Sequence, residues 1–212
     1  MKRSLEATAG IGAGIAAPLV YAVAVIAGGW LTPGYSHLRQ TISELTIAGA
    51  PAAGTLGNVF IAYNLLLACF AITLPLTMPE LRWQAVRAAV AALLAVAVAG
   101  IGMSGFFPLT GPSPADVPIP HIALAALASL ATMAAILAIA VAAWRVPRWH
   151  WLALASLACL AVVLCSGLWA ALSIGSALAG LAERITIGTF MAWILLLASA
   201  LALTRSPMTD AP

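Results

Sequence analysis

The chain has 212 residues, 64% hydrophobic and only 7% charged, with a mean hydropathy of +1.09. Soluble domains carry about 25% charged residues, so this composition excludes a soluble enzyme. The net charge of +3 comes from a few groups at segment ends, which excludes a basic nucleic-acid surface.

Six apolar stretches, about 8–31, 54–77, 84–106, 120–144, 150–172 and 180–203, each reach the roughly 20 residues that a helix needs to cross a bilayer. They lack the alternation of a β-barrel strand. The fold class expected is therefore all-α: one domain, 1–212, forming a polytopic bundle of six transmembrane helices.

The first span follows Met1-Lys2-Arg3, as a signal peptide would. Its apolar run exceeds the roughly 7–15 residues of a signal peptide and reads as a retained helix. Pro18 is expected to kink it. Loop one, about Thr32–Ala53, is long, and long loops without a domain of their own are often functional. Within it, Thr41-Ile-Ser-Glu44 fits a capping box at the start of a short interfacial helix ending near Gly49 and Pro51.

The second span carries Asn58, Tyr63 and Asn64. The asparagines are six apart and do not share a face, so at least one is expected to bond across to another helix. Loop three, about Phe107–Ile119, holds Pro108, Pro112, Pro114 and Pro118, a stiff segment suited to a lid or plug. His121 follows Pro120 at the start of the fourth span, where the helix dipole favours neutral imidazole, a base or metal ligand.

Glu183 and Arg184 stand at the start of the sixth span. Adjacent helical residues point about 100° apart, so each is expected to pair elsewhere: Arg184 with Glu44 or Asp116, Glu183 with Arg39 or His121. Cys69, Cys159 and Cys165 fall inside spans, form no C-x-x-C, and read as small packing residues. Gly10 and Gly14, Gly100 and Ser104, and Gly167, Ala171 and Gly175 recur at the spacing that lets helix backbones approach closely.

Seven of the nine Lys and Arg residues (Lys2, Arg3, Arg82, Arg87, Arg145, Arg148 and Arg205) fall at one set of span ends. By the positive-inside rule both termini are expected in the cytoplasm, with loops one, three and five outside. Trp83, Trp144, Trp149 and Trp151, with His150 among them, mark the cytoplasmic interface, and Trp30 the outer one. The outer set carries Glu44, Asp116, Glu183 and two of the three histidines, so chemistry is expected at that mouth of the bundle.

Ile42-Ser-Glu-Leu45, Gly105-Phe-Phe-Pro108, the helix-opening His121 and Gly180-Leu-Ala-Glu-Arg184 together resemble a prokaryotic membrane family known as domain of unknown function 998. The resemblance covers essentially the whole chain. It implies that Ser43, Glu44, His121, Glu183 and Arg184 form one constellation at the outer face of a bacterial or archaeal cell membrane. One departure is that Leu109-Thr110-Gly111 follows the Phe-Pro turn where the family often has an acidic residue, and Asp116 comes later. The family carries no established activity.

Three functions fit these residues. The first is an intramembrane enzyme using acid–base chemistry on a lipid or isoprenoid-like substrate. Glu44, His121 and Glu183 would be catalytic, and Arg184, Ser43, Asn58, Tyr63 and Asn64 substrate-binding. A variant places a metal on Glu44, His121 and Glu183; the sequence assigns no cofactor. The second is a non-enzymatic binder or transporter of a lipid or small solute, and the third a structural membrane protein. The partners expected are membrane lipid and an amphipathic ligand, with a homo-oligomer left open and no nucleic acid.

Overall fold

A computed structural model describes residues 2–111 and 113–205. The expectations that rest on Met1, Pro112 and the side chains of Pro114 and Arg205 lie outside the described residues. Six helices follow one another: α1 (Lys2–Leu31), α2 (Ala53–Thr77), α3 (Trp83–Gly105), α4 (Ile119–Trp144), α5 (His150–Leu172) and α6 (Ala179–Arg205). Each is long and apolar enough to cross a membrane, and the chain is an all-α, six-span integral membrane protein. Backbone groups cannot be left unpaired in hydrocarbon, which is why the apolar runs are helical from end to end. Even Pro18 lies inside a continuous α1.

Each helix packs on its neighbours in sequence, and α6 returns to pack on α1, closing a ring. Loops two and four meet at one end, where Glu80 accepts hydrogen bonds from Arg148 and from Trp149 Nε1, the latter at 2.7 Å. Loops one and three meet at the other end, beside the start of α6. There Ala48 N donates to Leu109 O and Leu181 N donates to Leu38 O, both at 3.0 Å.

The half of the ring nearer loops two and four is solid. Phe70, Leu74, Leu93, Ile136, Ile139, Leu152, Trp193 and Leu197 are all buried there, and Trp193 Nε1 donates to Ser156 Oγ at 2.9 Å. The half nearer loop one is hollow, with a smaller cluster of Val25, Ile42, Leu45, Leu56 and Phe60 seating loop one on α1 and α2.

Small residues set the approach of α1 to α2, as the glycine spacing predicts. A Cβ at Gly14 would lie 2.5 Å from the Phe70 ring, and one at Gly10 would collide with the Thr73 side chain. Gly14→Val is therefore expected to destabilise the protein by about 1–3 kcal/mol through overpacking, read as a lowered melting temperature in detergent. An unchanged melt would mean that α1 can move off α2 freely.

Four sequence expectations need correction. Gly175 is not part of a helix-packing series: α5 ends at Leu172, and Gly175 takes φ +78 in the following turn, the left-handed conformation glycine tolerates. Cys69 and Cys165 are exposed on the outside of the bundle, and only Cys159 packs against the core. The asparagines form no bond between helices among the described residues. Asn64 Nδ2 donates to Phe60 O of its own helix at 2.8 Å, and Asn58 is exposed. Loop one holds a single 3-10 turn, Ser43–Thr46, instead of a short helix ending near Gly49 and Pro51.

The Glu80 carboxyl carries a pH dependence. Partial burial pushes its pKa up, but the hydrogen bonds from Arg148 and Trp149 outweigh this and hold it below the ordinary carboxylate value. A carboxyl depressed on folding stabilises the fold above its unfolded pKa, and that stability is lost as pH falls through the folded value. The Arg148 side chain is 62% exposed, so solvent screening limits the contribution to about 0–1 kcal/mol. Glu80→Gln should flatten the acid limb of a melting-temperature profile by that small amount; an identical profile would show that the pair contributes nothing.

Candidate functional site

The motif residues divide into those that dock loop one and those that face the hollow. Ile42 and Leu45 are buried among residues of α1 and α2, anchoring loop one, and Ser43 and Glu44 line the cavity together with the Ile42 edge. Gly28 permits this seat, since a Cβ there would lie 2.8 Å from Leu56 and 3.2 Å from Leu45.

The start of α6 grips the same loop residue by residue. At Gly180 a side chain would run into the carbonyls of Gln40 and His37, so only glycine lets the two backbones meet. Glu183 Oε2 accepts Ile42 N at 2.6 Å. Arg184 Nη1 donates to Gln40 O at 2.8 Å and to Gly180 O at 2.9 Å, and Nη2 donates to the Tyr35 hydroxyl. Tyr35 in turn donates to Thr41 O at 2.8 Å. Burial pushes the Tyr35 phenol up to about 12 despite the Arg184 charge beside it, so it stays protonated and able to donate.

These bonds replace the ion pairs expected at this end. Among the described residues Arg184 pairs with neither Glu44 nor Asp116, and Glu183 with neither Arg39 nor His121; the one salt bridge is Arg148–Glu80. One carbonyl and one amide of loop one, presented at the tip of α6, engage Arg184 Nη1 and Glu183 Oε2 instead, while Arg184 Nε is buried without a partner among the described residues. Glu44 is likewise absorbed locally: Oε1 accepts Thr41 N at 2.8 Å and Thr41 Oγ1 at 3.1 Å, and Oε2 accepts Gln40 Nε2 at 3.2 Å. That is one half of the expected capping box. The complete box belongs to Ser113 and Asp116, which gives Asp116 the work of folding loop three.

Loop three joins the arrangement through backbone groups. Phe107 O lies 2.7 Å from His121 Nδ1. A carbonyl only accepts, so Nδ1 donates in this bond and Nε2 is the ring nitrogen left for another partner. His121 is buried at the first turn of α4 and lines the cavity.

The cavity itself has a volume of about 1340 Å³, above the roughly 300–1,000 Å³ of ordinary ligand pockets. Its loop end is polar, with Ser43, Glu44, Glu183 and His121 on the wall, and Tyr63 and Asn64 face it from α2. Gly100 makes room for Asn64, since a Cβ there would overlap its amide. Deeper walls are apolar, among them Leu130, Met133, Leu168 and Met191.

Of the sequence-predicted site residues, Ser43, Glu44, Tyr63, Asn64, His121 and Glu183 line this one cavity, whereas Asn58 and Arg184 do not. Arg39 does line it, at the exposed rim. Sequence reasoning also missed Tyr21, which lines the cavity and rests on Tyr63 with ring centroids 4.8 Å apart. A tyrosine ten residues inside an apolar span was its signal. The metal variant lacks its geometry, because among the described residues no three His, Cys, Asp or Glu side chains gather closely enough to hold an ion.

Comparison with curated proteins and with solved structures finds no match. A family model does match residues 15–200, nearly the whole bundle and all four motifs that carry the resemblance, and the chain belongs to that family, described as Protein of unknown function (DUF998).

Proposed function

We propose that the protein binds an amphipathic membrane lipid in this cavity and exchanges protons with its headgroup through Glu183 and His121. The observation that carries the reading is the cavity's division into a polar end and apolar walls inside a membrane-spanning ring. Water is a poor occupant of an apolar wall at that depth, and a lipid satisfies both ends at once.

Glu183 and His121 are each tied to the backbone at one atom only, Ile42 N at 2.6 Å and Phe107 O at 2.7 Å. Such tethering orients an acid or base while leaving its second polar atom for a ligand. Ser43, Tyr63 and Asn64 supply hydrogen bonds to the headgroup, and Arg39 at the rim supplies the cation that the sequence assigned to Arg184. The polar end faces the outside of the cell membrane and both termini the cytoplasm. This follows from the basic residues at the opposite end, including Lys2, Arg3, Arg82, Arg87, Arg145 and Arg148.

Lipids extracted from the purified protein and identified by mass spectrometry test the binding. The expected result is one lipid class strongly enriched over its share in the source membrane. An extract with the membrane's own composition would overturn the reading.

A further inference from the structure

The wall of the cavity is interrupted on one side. From Ile122 to Leu130 no residue of α4 is buried. This stretch leans on α3, where a Cβ at Gly102 would lie 2.8 Å from Leu124. On α5, Ser166 is the only buried residue between 164 and 172. It is turned to α6, accepting from Thr186 Oγ1 at 2.8 Å. Each helix is thus held by its other neighbour.

The apolar windows of α4 and α5 are each 28% buried, against 39–44% in the other four helices. Ile122, Leu130, Leu164 and Leu168 are 54%, 64%, 50% and 63% exposed, yet all four line the cavity. Part of that exposure faces the cavity itself, but with no buried residue on α4 from Ile122 to Leu130, and with the buried Ser166 of α5 turned to α6, no packed seam closes this side of the hollow. The opening faces the bilayer.

The depth of the cavity fits the same picture. His121 at its polar end and Met133 near its floor are twelve residues apart on α4, about 18 Å at 1.5 Å per residue. One leaflet of a bilayer core of roughly 30 Å is about 15 Å deep. The hollow therefore matches a single leaflet, with its polar end level with the headgroups.

We propose that the gap between the outer halves of α4 and α5 is a lateral portal, through which the hydrocarbon chain of a lipid from the adjoining leaflet passes into the cavity. The proposal rests on the lipid-binding reading above and adds the route and the leaflet. The headgroup slides along the interface to Ser43, Glu183 and His121 without crossing hydrocarbon, and the chain never meets water. A second copy packed across the gap would close it but leave the hollow behind it unfilled, forfeiting dispersion contacts on every lining side chain. A chain threaded through the gap makes those contacts.

Two variants in lipid nanodiscs test this. Ala126→Trp with Leu168→Trp fills the gap from both sides, and Leu168→Ala widens it. The readout is the exchange rate of protein-bound lipid for a phospholipid with a fluorescent acyl chain, alongside the melting temperature and the oligomeric state. The expected result is exchange slowed at least tenfold in the tryptophan variant and accelerated in L168A, with the melting temperature of L168A near wild type. Unchanged exchange in L168A, with lipid still bound, would overturn the portal and leave the binding site standing. A disulfide-linked dimer formed through the introduced thiols of Ala126→Cys or Leu168→Cys would overturn it in favour of a second copy. Wild-type protein with no exchangeable lipid would overturn the binding reading itself.

Discussion

Replacing Arg184 by alanine is expected to release loop one from the bundle. The guanidinium spans two backbone carbonyls and the Tyr35 hydroxyl, and its centre lies 5.5 Å from the Tyr35 ring centroid. Without it, Gln40 O and Tyr35 lose a charged donor in a half-buried site, a loss of about 1–3 kcal/mol. Arg184→Lys should recover little, because a single ammonium cannot span the same acceptors in one plane. Amide hydrogen exchange is the suitable readout. Residues 35–46 should exchange faster in R184A and R184K, while the solid half around Trp193 keeps its protection. Protection of loop one equal to wild type in R184A would remove Arg184 from the docking account.

Glu183→Gln separates docking from chemistry. The glutamine carbonyl can still accept the Ile42 amide, so the melting temperature and the bound lipid should stay close to wild type, while Glu183→Ala, which orphans that amide, should destabilise by about 1–3 kcal/mol. A glutamine cannot give or take a proton. General acid–base catalysis is worth about 10²–10⁴-fold, so the proposed proton exchange with the headgroup should slow by that range in E183Q. In cells, E183Q should fail to rescue a deletion strain while being produced at normal levels. Full rescue by E183Q would reduce Glu183 to a docking residue.

The spans were legible because hydrocarbon imposes one solution on a long apolar run; expected and observed ends agree within a residue or two, except at the start of α1. The grouping of Ser43, Glu44, His121 and Glu183 at one mouth was legible for a related reason, since an even number of crossings returns loops one, three and five to the same end. What the charges bond to was not. Charge alone suggested partners of opposite sign, but loop one brings an amide and a carbonyl to within 3 Å of Glu183 and Arg184, and where a loop's backbone lies is not written in its composition. The same limit explains Arg39 and Arg184. Both are arginines near the outer end, and only the fold distinguishes the one strapped to the loop from the one at the rim. The hollow half could not be read at all, because Ala-Leu-rich outer halves of α4 and α5 look like any lipid-facing helix until their packing partners are known.

Native mass spectrometry of protein released from detergent micelles tests the central claim, that the hollow half of the ring is a lipid site. Wild type should retain one tightly bound lipid per chain. Ala128→Trp, which puts an indole into the cavity from a half-buried position on its α4 wall, should fly bare at the same charge states. A lipid-free wild type, or equal lipid retention in A128W, would contradict the account.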